Sequence, residues 1–304
     1  MSRELDPDRL ERFRLLVYDY YRQSGRHDLE WRNTRDPYRV LVSEFMLQQT
    51  QVVRVRKKYR EFLSLFPSIS DLARAGLRDV LGAWSGLGYN RRARFLHELA
   101  RRVRDERDGE LPEDREELRS LPGVGAYTAS AVACFAFDEP VPLLETNIRR
   151  ALIYSFFAEP DRDSSELFAA EVPGTDSTEP RIEPRSVNAP VHDRDIIAVA
   201  DAVLDRERPR EWNYALMDYG ELIGRRVPNP NRASAHYTRQ SRFEGSLRQA
   251  RGAAIRVLTT VEAADADTIA AQYGLPLSRI ESALNELSNE GLVARDGTGQ
   301  WRIG

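Results

Sequence analysis

Cysteine is almost missing from this chain: Cys134 is the only one in 304 residues. It sits in an apolar run, Ala131-Val-Ala-Cys-Phe-Ala-Phe137. One thiol excludes an intrachain disulfide and any metal or iron–sulfur site built on four cysteines. Lysine is scarce too. Lys57 and Lys58 are the only two, and the other cations are arginine. Both stand in a crowd of positive charge, so the chain offers little to chemistry that needs a neutral amine. No run of about 18 apolar residues exists, which excludes a membrane-spanning helix. The opening Met-Ser-Arg-Glu-Leu-Asp has no apolar signal core, and a cytoplasmic protein is expected. Strand patterning is absent before residue 292, so the main body reads as all-α.

What is present is charge, unevenly spread. The net charge is −3, which argues against a uniformly basic surface. Residues 37–60 nevertheless hold six Lys/Arg against one acid, Glu44, and residues 212–252 hold seven Arg against three acids. Residues 159–195 hold ten acids against four Arg, without periodicity, and read as an acidic loop or insertion. Two basic faces are thus offset by one acidic segment. With 41% apolar residues and room for about two domains at roughly 150 residues each, a sizeable core is available.

Helical signals fill the chain. Residues 8–23 are amphipathic. Asp36-Pro37 opens a helix over 37–49 that is apolar almost all round and carries one carboxylate, Glu44. Further helices are predicted over 51–66, shortly after Ser68, over 91–108, from Pro112 to near Leu121, over 126–137 and from Thr146 to Phe157. Others follow over 195–206 and 211–223. Residues 228–250 are polar and arginine-rich with little pattern. From 251 onward, helices over 253–259, 265–273 and 277–290 precede a β-hairpin around Asp296-Gly-Thr-Gly299, the layout of a winged helix.

The sharpest local feature is Leu121-Pro-Gly-Val-Gly-Ala-Tyr-Thr128. Gly123 and Gly125 let the backbone turn tightly and approach a ligand closely. A helix follows at once, and its first N–H groups suit a phosphate. Such a unit grips a nucleic-acid backbone without reading sequence. A plain inter-helix turn is the competing reading.

Together with this hairpin, several other segments carry a family likeness. They are Trp31-Arg32, Asp36-Pro-Tyr38, Ser43-Glu-Phe-Met-Leu-Gln-Gln-Thr-Gln51, Gly86-Leu-Gly-Tyr89 with Arg92-Ala-Arg94, and Asn147-Ile-Arg-Arg150. In this order and spacing the chain resembles the helix–hairpin–helix (HhH-GPD) DNA glycosylase superfamily, closest to the MutY-type adenine glycosylases. The likeness covers residues 30–155 and, more loosely, 195–226. It implies a mainly α fold with residues 1–30 and 136–248 in one helical domain and 31–135 in a second carrying the hairpin; the pattern of residues 251–304, outside the likeness, adds a winged-helix-like domain where MutY has its oxidised-guanine recognition domain. It further implies a groove for double-stranded DNA with a mispaired or damaged base, flipped out of the duplex for excision, and a monomer.

Site residues follow from the same likeness. Glu44, a lone carboxylate on an apolar helix, is expected to hold a proton near neutral pH and to act as general acid on the base. An Arg-paired structural glutamate is the alternative. Glu145 stands where the family carries an aspartate that stabilises the sugar cation. Here it is one methylene longer, and simple negative charge at a helix N-terminus is the other reading. Tyr127 stands where lyase-type relatives such as endonuclease III carry a nucleophilic lysine, so base removal without a lysine-dependent strand cut is expected; a packed aromatic is the plain alternative. Gln48 and Gln49 match residues that reach into the duplex, with helix-end polar residues as the alternative. Arg92, Leu121, Gly123, Val124, Gly125 and Asn147 complete the expected DNA contacts; for Arg92 a solvated charge face competes. MutY and endonuclease III usually carry four cluster cysteines after the last core helix. This chain has Gly224 near the first such position, and no cofactor is expected. Thymine or uracil opposite guanine, or hypoxanthine, stays open beside adenine. So does a non-catalytic DNA-binding protein on the same scaffold.

Overall fold

The computed structural model describes residues 6–158, 187, 189–237 and 243–304. Helix α1 (Pro7–Ser24) starts at Asp6, whose carboxylate accepts from the Asp8 N–H at 3.1 Å. A single 3₁₀ turn, Glu30–Arg32, leads to α2 (Pro37–Leu47). The Asp36 carboxylate caps α2 through the N–H groups of Tyr38 and Arg39, at 2.9 and 3.2 Å, and Pro37 supplies the preset φ of a first turn. Then come α3 (Val52–Leu65), α4 (Ile69–Arg74, capped by Ser68) and α5 (Leu77–Trp84). The sequence reading leaves out α5, a helix of eight residues whose N-cap Gly76 offers no side-chain acceptor.

Helices α6 (Arg91–Arg107), α7 (Arg115–Arg119), α8 (Ala126–Phe137) and α9 (Thr146–Leu152) follow. The last continues as a π-helical turn, Ile153–Phe157. Helices α10 (Asp193–Val203) and α11 (Pro209–Arg226) lie beyond the acidic segment, whose residues 159–186 and 188 are outside the described residues. The C-terminal part is α12 (Leu247–Thr260), α13 (Ala266–Tyr273), α14 (Leu277–Asn289) and an antiparallel pair, β1 (Val293–Arg295) with β2 (Trp301–Ile303), in register Val293↔Ile303. Helix α12 begins two turns earlier than its apolar pattern suggests. Ser246 caps it, and after Leu247 its first two turns carry Arg248, Gln249 and Arg251.

The chain divides into two compact units. Residues 1–33 with 130–239 form one, and residues 34–129 with 240–304 form the other. The C-terminal segment 251–304, expected as a domain of its own, thus shares a unit with α2–α7. Arg78 of α5 ties it there, donating to the Val261 and Glu262 carbonyls at 2.8 and 3.1 Å.

The first unit is built on α1, α9 and α11. Phe13 of α1 meets Phe156, Tyr219 and Trp212 edge to face, with centroids 4.9–6.1 Å apart, the geometry aromatic quadrupoles prefer. A buried ion pair crosses this unit: Arg32 forks onto Asp218 at 2.7 and 2.8 Å, and Arg26 joins the same carboxylate. Desolvation opposes the charge on Asp218. The Arg32 and Arg26 guanidinia outweigh it and hold the carboxyl below the usual range. In the second unit the core is aliphatic and aromatic, with Leu41, Phe45, Phe62, Leu81, Trp84 and Leu96 fully buried.

Candidate active site and nucleic-acid interface

Helix α2 is apolar because it is packed on nearly every side. Glu44 is buried with it, at 6% exposure. One turn later the helix ends at Gln48, whose Nε2 donates to Thr128 Oγ1 at 3.2 Å on the first turn of α8. The helix of Glu44 is therefore tied to the helix that leaves the glycine hairpin, one residue from Tyr127, which is half-buried. Gln49 follows with φ +54°, a left-handed backbone rare for glutamine, and is exposed.

Arg92 corrects the expectation of a phosphate contact. Its guanidinium is buried against the end of α2 and donates to the carbonyls of Phe45, Met46 and Gln48, at 2.6, 3.1 and 2.5 Å. Its other nitrogen reaches Thr50 Oγ1 and the Gly88 carbonyl at 3.1 and 3.2 Å. The last carbonyls of a helix have no partner within it and carry the negative end of its dipole. Arg92 serves them in place of a glycine C-cap. Burial pushes its pKa down to about 10, so it stays charged at neutral pH.

In the hairpin the two glycines do different work. Gly123 has φ +75°, and a β-carbon there would stand 2.6 Å from Phe95 Cβ and 3.1 Å from Phe45 Cε1. It is required by the turn and by packing. A β-carbon on Gly125 would meet nothing within 4 Å. Gly125 is open to solvent, immediately ahead of the first N–H groups of α8, which lack intrahelical acceptors. Leu121 and Val124 are buried at 4% and 6%. Their side chains anchor the hairpin, which leaves its main chain as the part open to a ligand.

Glu145 is the N-cap of α9, in the other unit. Its Oε1 accepts from the backbone N–H groups of Asn147 and Ile148, both at 2.8 Å, and Oε2 accepts from Asn147 Nδ2 at 3.3 Å. Desolvation pushes its pKa up, against the pull of those N–H groups, Arg150 and Arg26. Arg150 donates to Asn147 Oδ1 and to the Gly220 carbonyl, both at 2.9 Å. Both polar ends of the Asn147 side chain, expected to meet DNA, are thus bonded within the chain.

Sequence reasoning missed Arg150, Gly220 and Gly224 as parts of this arrangement. The two glycines are one turn apart on α11. A β-carbon on Gly220 would stand 2.0 Å from the Asn147 carbonyl oxygen, and one on Gly224 2.4 Å from an Arg150 terminal nitrogen. Small residues at i and i+4 of a helix were the available signal.

The two lysines sit on α3, and Lys58 Nζ lies 2.9 Å from Glu61. Cys134 is buried in α8. Among the described residues no helix is long and apolar enough to cross a membrane.

Comparison with known proteins agrees with this architecture. The family described as "HhH-GPD superfamily base excision DNA repair protein" matches residues 42–172. An adenine DNA glycosylase of Mycolicibacterium smegmatis is 34% identical over 297 residues, covering 92% of each chain. A thymine-DNA glycosylase of Aeropyrum pernix is 34% identical over 224 residues, 72% of this chain and 88% of its own. Among solved structures, a thermostable thymine-DNA glycosylase superposes with a TM-score of 0.54 at 26% identity, over 70% of this chain and 86% of that one.

Proposed function

The chain belongs to the HhH-GPD superfamily of base excision DNA repair proteins, and we propose that it is a monofunctional DNA glycosylase that hydrolyses the bond between adenine and its sugar. The base is flipped from the duplex, which costs least at a mispair. Glu44 donates a proton to the adenine ring, and the glycosidic bond breaks with its electron pair leaving on the base. Positive charge then develops on the sugar, and the Glu145 carboxylate stabilises it. Water adds to the sugar carbon and gives up a proton to Glu44. Tyr127 lines the base pocket.

The observation that carries this reading is the way Glu145 is held. Its carboxylate is fixed by three donors before any substrate arrives, so its charge needs no rearrangement when the sugar cation forms. Adenine is favoured by the 92% coverage of the mycobacterial relative and by the Ser43–Gln51 segment. Hydrolysis without a Schiff base is supported by Tyr127 at the lyase position and by two lysines that lie together on α3.

An iron–sulfur cluster does not fit these residues. The chain offers one thiol, buried in α8, and the space beside Gly224 is filled by the Arg150 guanidinium. We propose that the enzyme works without a cluster.

Thymine is the second reading, favoured by the likeness to thymine-DNA glycosylase in sequence and in structure. Duplexes carrying A:G, A opposite oxidised G, T:G, U:G and hypoxanthine pairs, cleaved with alkali after incubation, separate the readings. Product from the adenine duplexes is expected. Product from T:G alone would replace adenine with thymine. Tight binding with no product from any duplex would sink the enzyme reading. Omitting alkali tests for lyase action: strand breaks without it would overturn the monofunctional assignment.

A further inference from the structure

Past the end of α11 the chain folds back over the start of α9. Asn229 caps a 3₁₀ turn, Pro230–Ala233, by accepting from the Asn231 N–H at 3.2 Å. Val191 pairs with this segment in parallel. Its N–H donates to the Ala233 carbonyl and its carbonyl accepts from the Ala235 N–H, both at 2.9 Å. Arg149 of α9 donates to Ser234 Oγ at 3.3 Å. Asn231 itself is 5% exposed, and its Nδ2 donates to the Thr146 carbonyl at 2.9 Å.

Thr146 is the residue after Glu145, and its carbonyl is the atom that matters. The Thr146 carbonyl and the Asn147 N–H are the two ends of one planar peptide group and point in opposite directions. The Asn147 N–H is a donor that holds Glu145 Oε1, at 2.8 Å. A chain of hydrogen bonds thus runs from the Asn231 amide, through a single peptide unit, to the Glu145 carboxylate. The bond at the carbonyl end fixes the plane of that peptide and polarises its N–H, which strengthens the bond at the far end.

The other end of the Asn231 amide makes no such contribution. Its Oδ1 is buried and accepts no hydrogen bond among the described residues. Burying an acceptor without a donor is unfavourable, and an apolar side chain of similar size would avoid it. The donor alone accounts for an asparagine here. Residues kept against local stability gather around functional sites.

We propose that Asn231 is a positioning residue for excision, setting the peptide that aims the Glu145 carboxylate at the sugar. It touches no substrate and acts through Thr146 and Asn147. Such support matters because a misplacement of about 1 Å at a reacting group costs on the order of 10²-fold in rate. The inference rests on the role proposed above for Glu145, but not on which base leaves.

The experiment uses the full chain with Asn231→Leu and the smaller Asn231→Ala. Excision is measured with protein in excess, on the A:G or T:G duplex that the parent cleaves. Binding is measured by anisotropy on a duplex with a reduced abasic site. Both variants should excise about tenfold more slowly, with affinity within about twofold of the parent. Asn231→Leu should melt no lower than the parent, because it also removes the buried acceptor. Deuterium exchange at the Asn147 and Ile148 N–H groups should quicken. Ser234→Ala is the contrast. It loses the bonds from Arg149 and from the His236 N–H, and should melt lower while excising at the parental rate. An excision rate within about twofold of the parent in both Asn231 variants overturns the proposal, and so does equal slowing in Ser234→Ala. A parent that excises no base refutes the glycosylase reading. Exchange then decides alone: unchanged exchange overturns the hold of Asn231 on this peptide, and faster exchange keeps it.

Discussion

Asn147 grips Glu145 twice, through its backbone N–H at 2.8 Å and its side-chain Nδ2 at 3.3 Å, so each carboxylate oxygen has a donor from the same residue. Arg150 holds Asn147 from behind, and Gly220 and Gly224 make room for both. The helix cap and the proposed catalytic charge are thus one feature. A longer glutamate folds back to cap its own helix and keeps a fixed position.

If Glu145 must be ionised for excision, the rate rises with pH through its elevated pKa. Arg150 pulls that pKa down. Arg150→Leu should therefore move the acid limb of the single-turnover rate to higher pH and lower the rate at neutral pH. Gly224→Ala, which displaces the guanidinium, should shift the limb in the same direction. A lower melting temperature with an unshifted pH profile would reduce Arg150 to a structural role. Glu145→Gln should cut the rate by about 10²-fold or more at every pH, within the range for lost electrostatic stabilisation.

Arg92 predicts a stability effect instead of a binding one. Arg92→Leu leaves the carbonyls of Phe45, Met46 and Gln48 without their donor. At about 1–3 kcal/mol for a buried unsatisfied group, a loss of roughly 3 kcal/mol in urea unfolding is expected. Arg92→Lys should not restore it, since a lysine lacks the planar fork. A loss confined to DNA affinity, with unchanged unfolding, would return Arg92 to the phosphate contacts.

The hairpin glycines should separate. Gly123→Ala is strained by its φ of +75° and by Phe95, and should destabilise the fold by about 1 kcal/mol or more. Gly125→Ala meets nothing and should leave the melting temperature intact or slightly raised. If DNA backbone lies against Gly125, the same variant weakens duplex binding, measured by anisotropy. Equal stability losses at both positions would contradict the division of labour.

The Arg32–Asp218 pair predicts an acid dependence. The Asp218 pKa is depressed in the folded chain. Its stabilisation is present above the unfolded value of about 3.9 and is lost as pH falls through the folded value. Asp218→Asn should cost about 3–5 kcal/mol near pH 7, and the gap to the parent should shrink as acid protonates Asp218. A pH-independent gap would mean that shape, not charge, is what Asp218 contributes.

Much of this was legible in the sequence because it is local. Asp36-Pro37 caps and starts α2, the apolar run of α8 has the bounds 126–137, and Gly123 turns the hairpin; each depends on neighbours within a few residues. The eight-residue α5 and the polar start of α12 were not legible. The first does repeat apolar residues at helical spacing (Leu77, Val80, Leu81, Trp84) but has no side-chain cap to mark its start, and the second carries arginines where the pattern needs apolar residues. The tertiary structure alone decided the fate of the arginines and amides. Arg91 and Arg92 are adjacent in sequence, yet one is exposed and the other is sealed beneath α2. Asn147 turned inward because Arg150 and Glu145 claim its side chain. A residue's type states which bonds it can make; the partners brought to it from distant parts of the chain decide which ones it does.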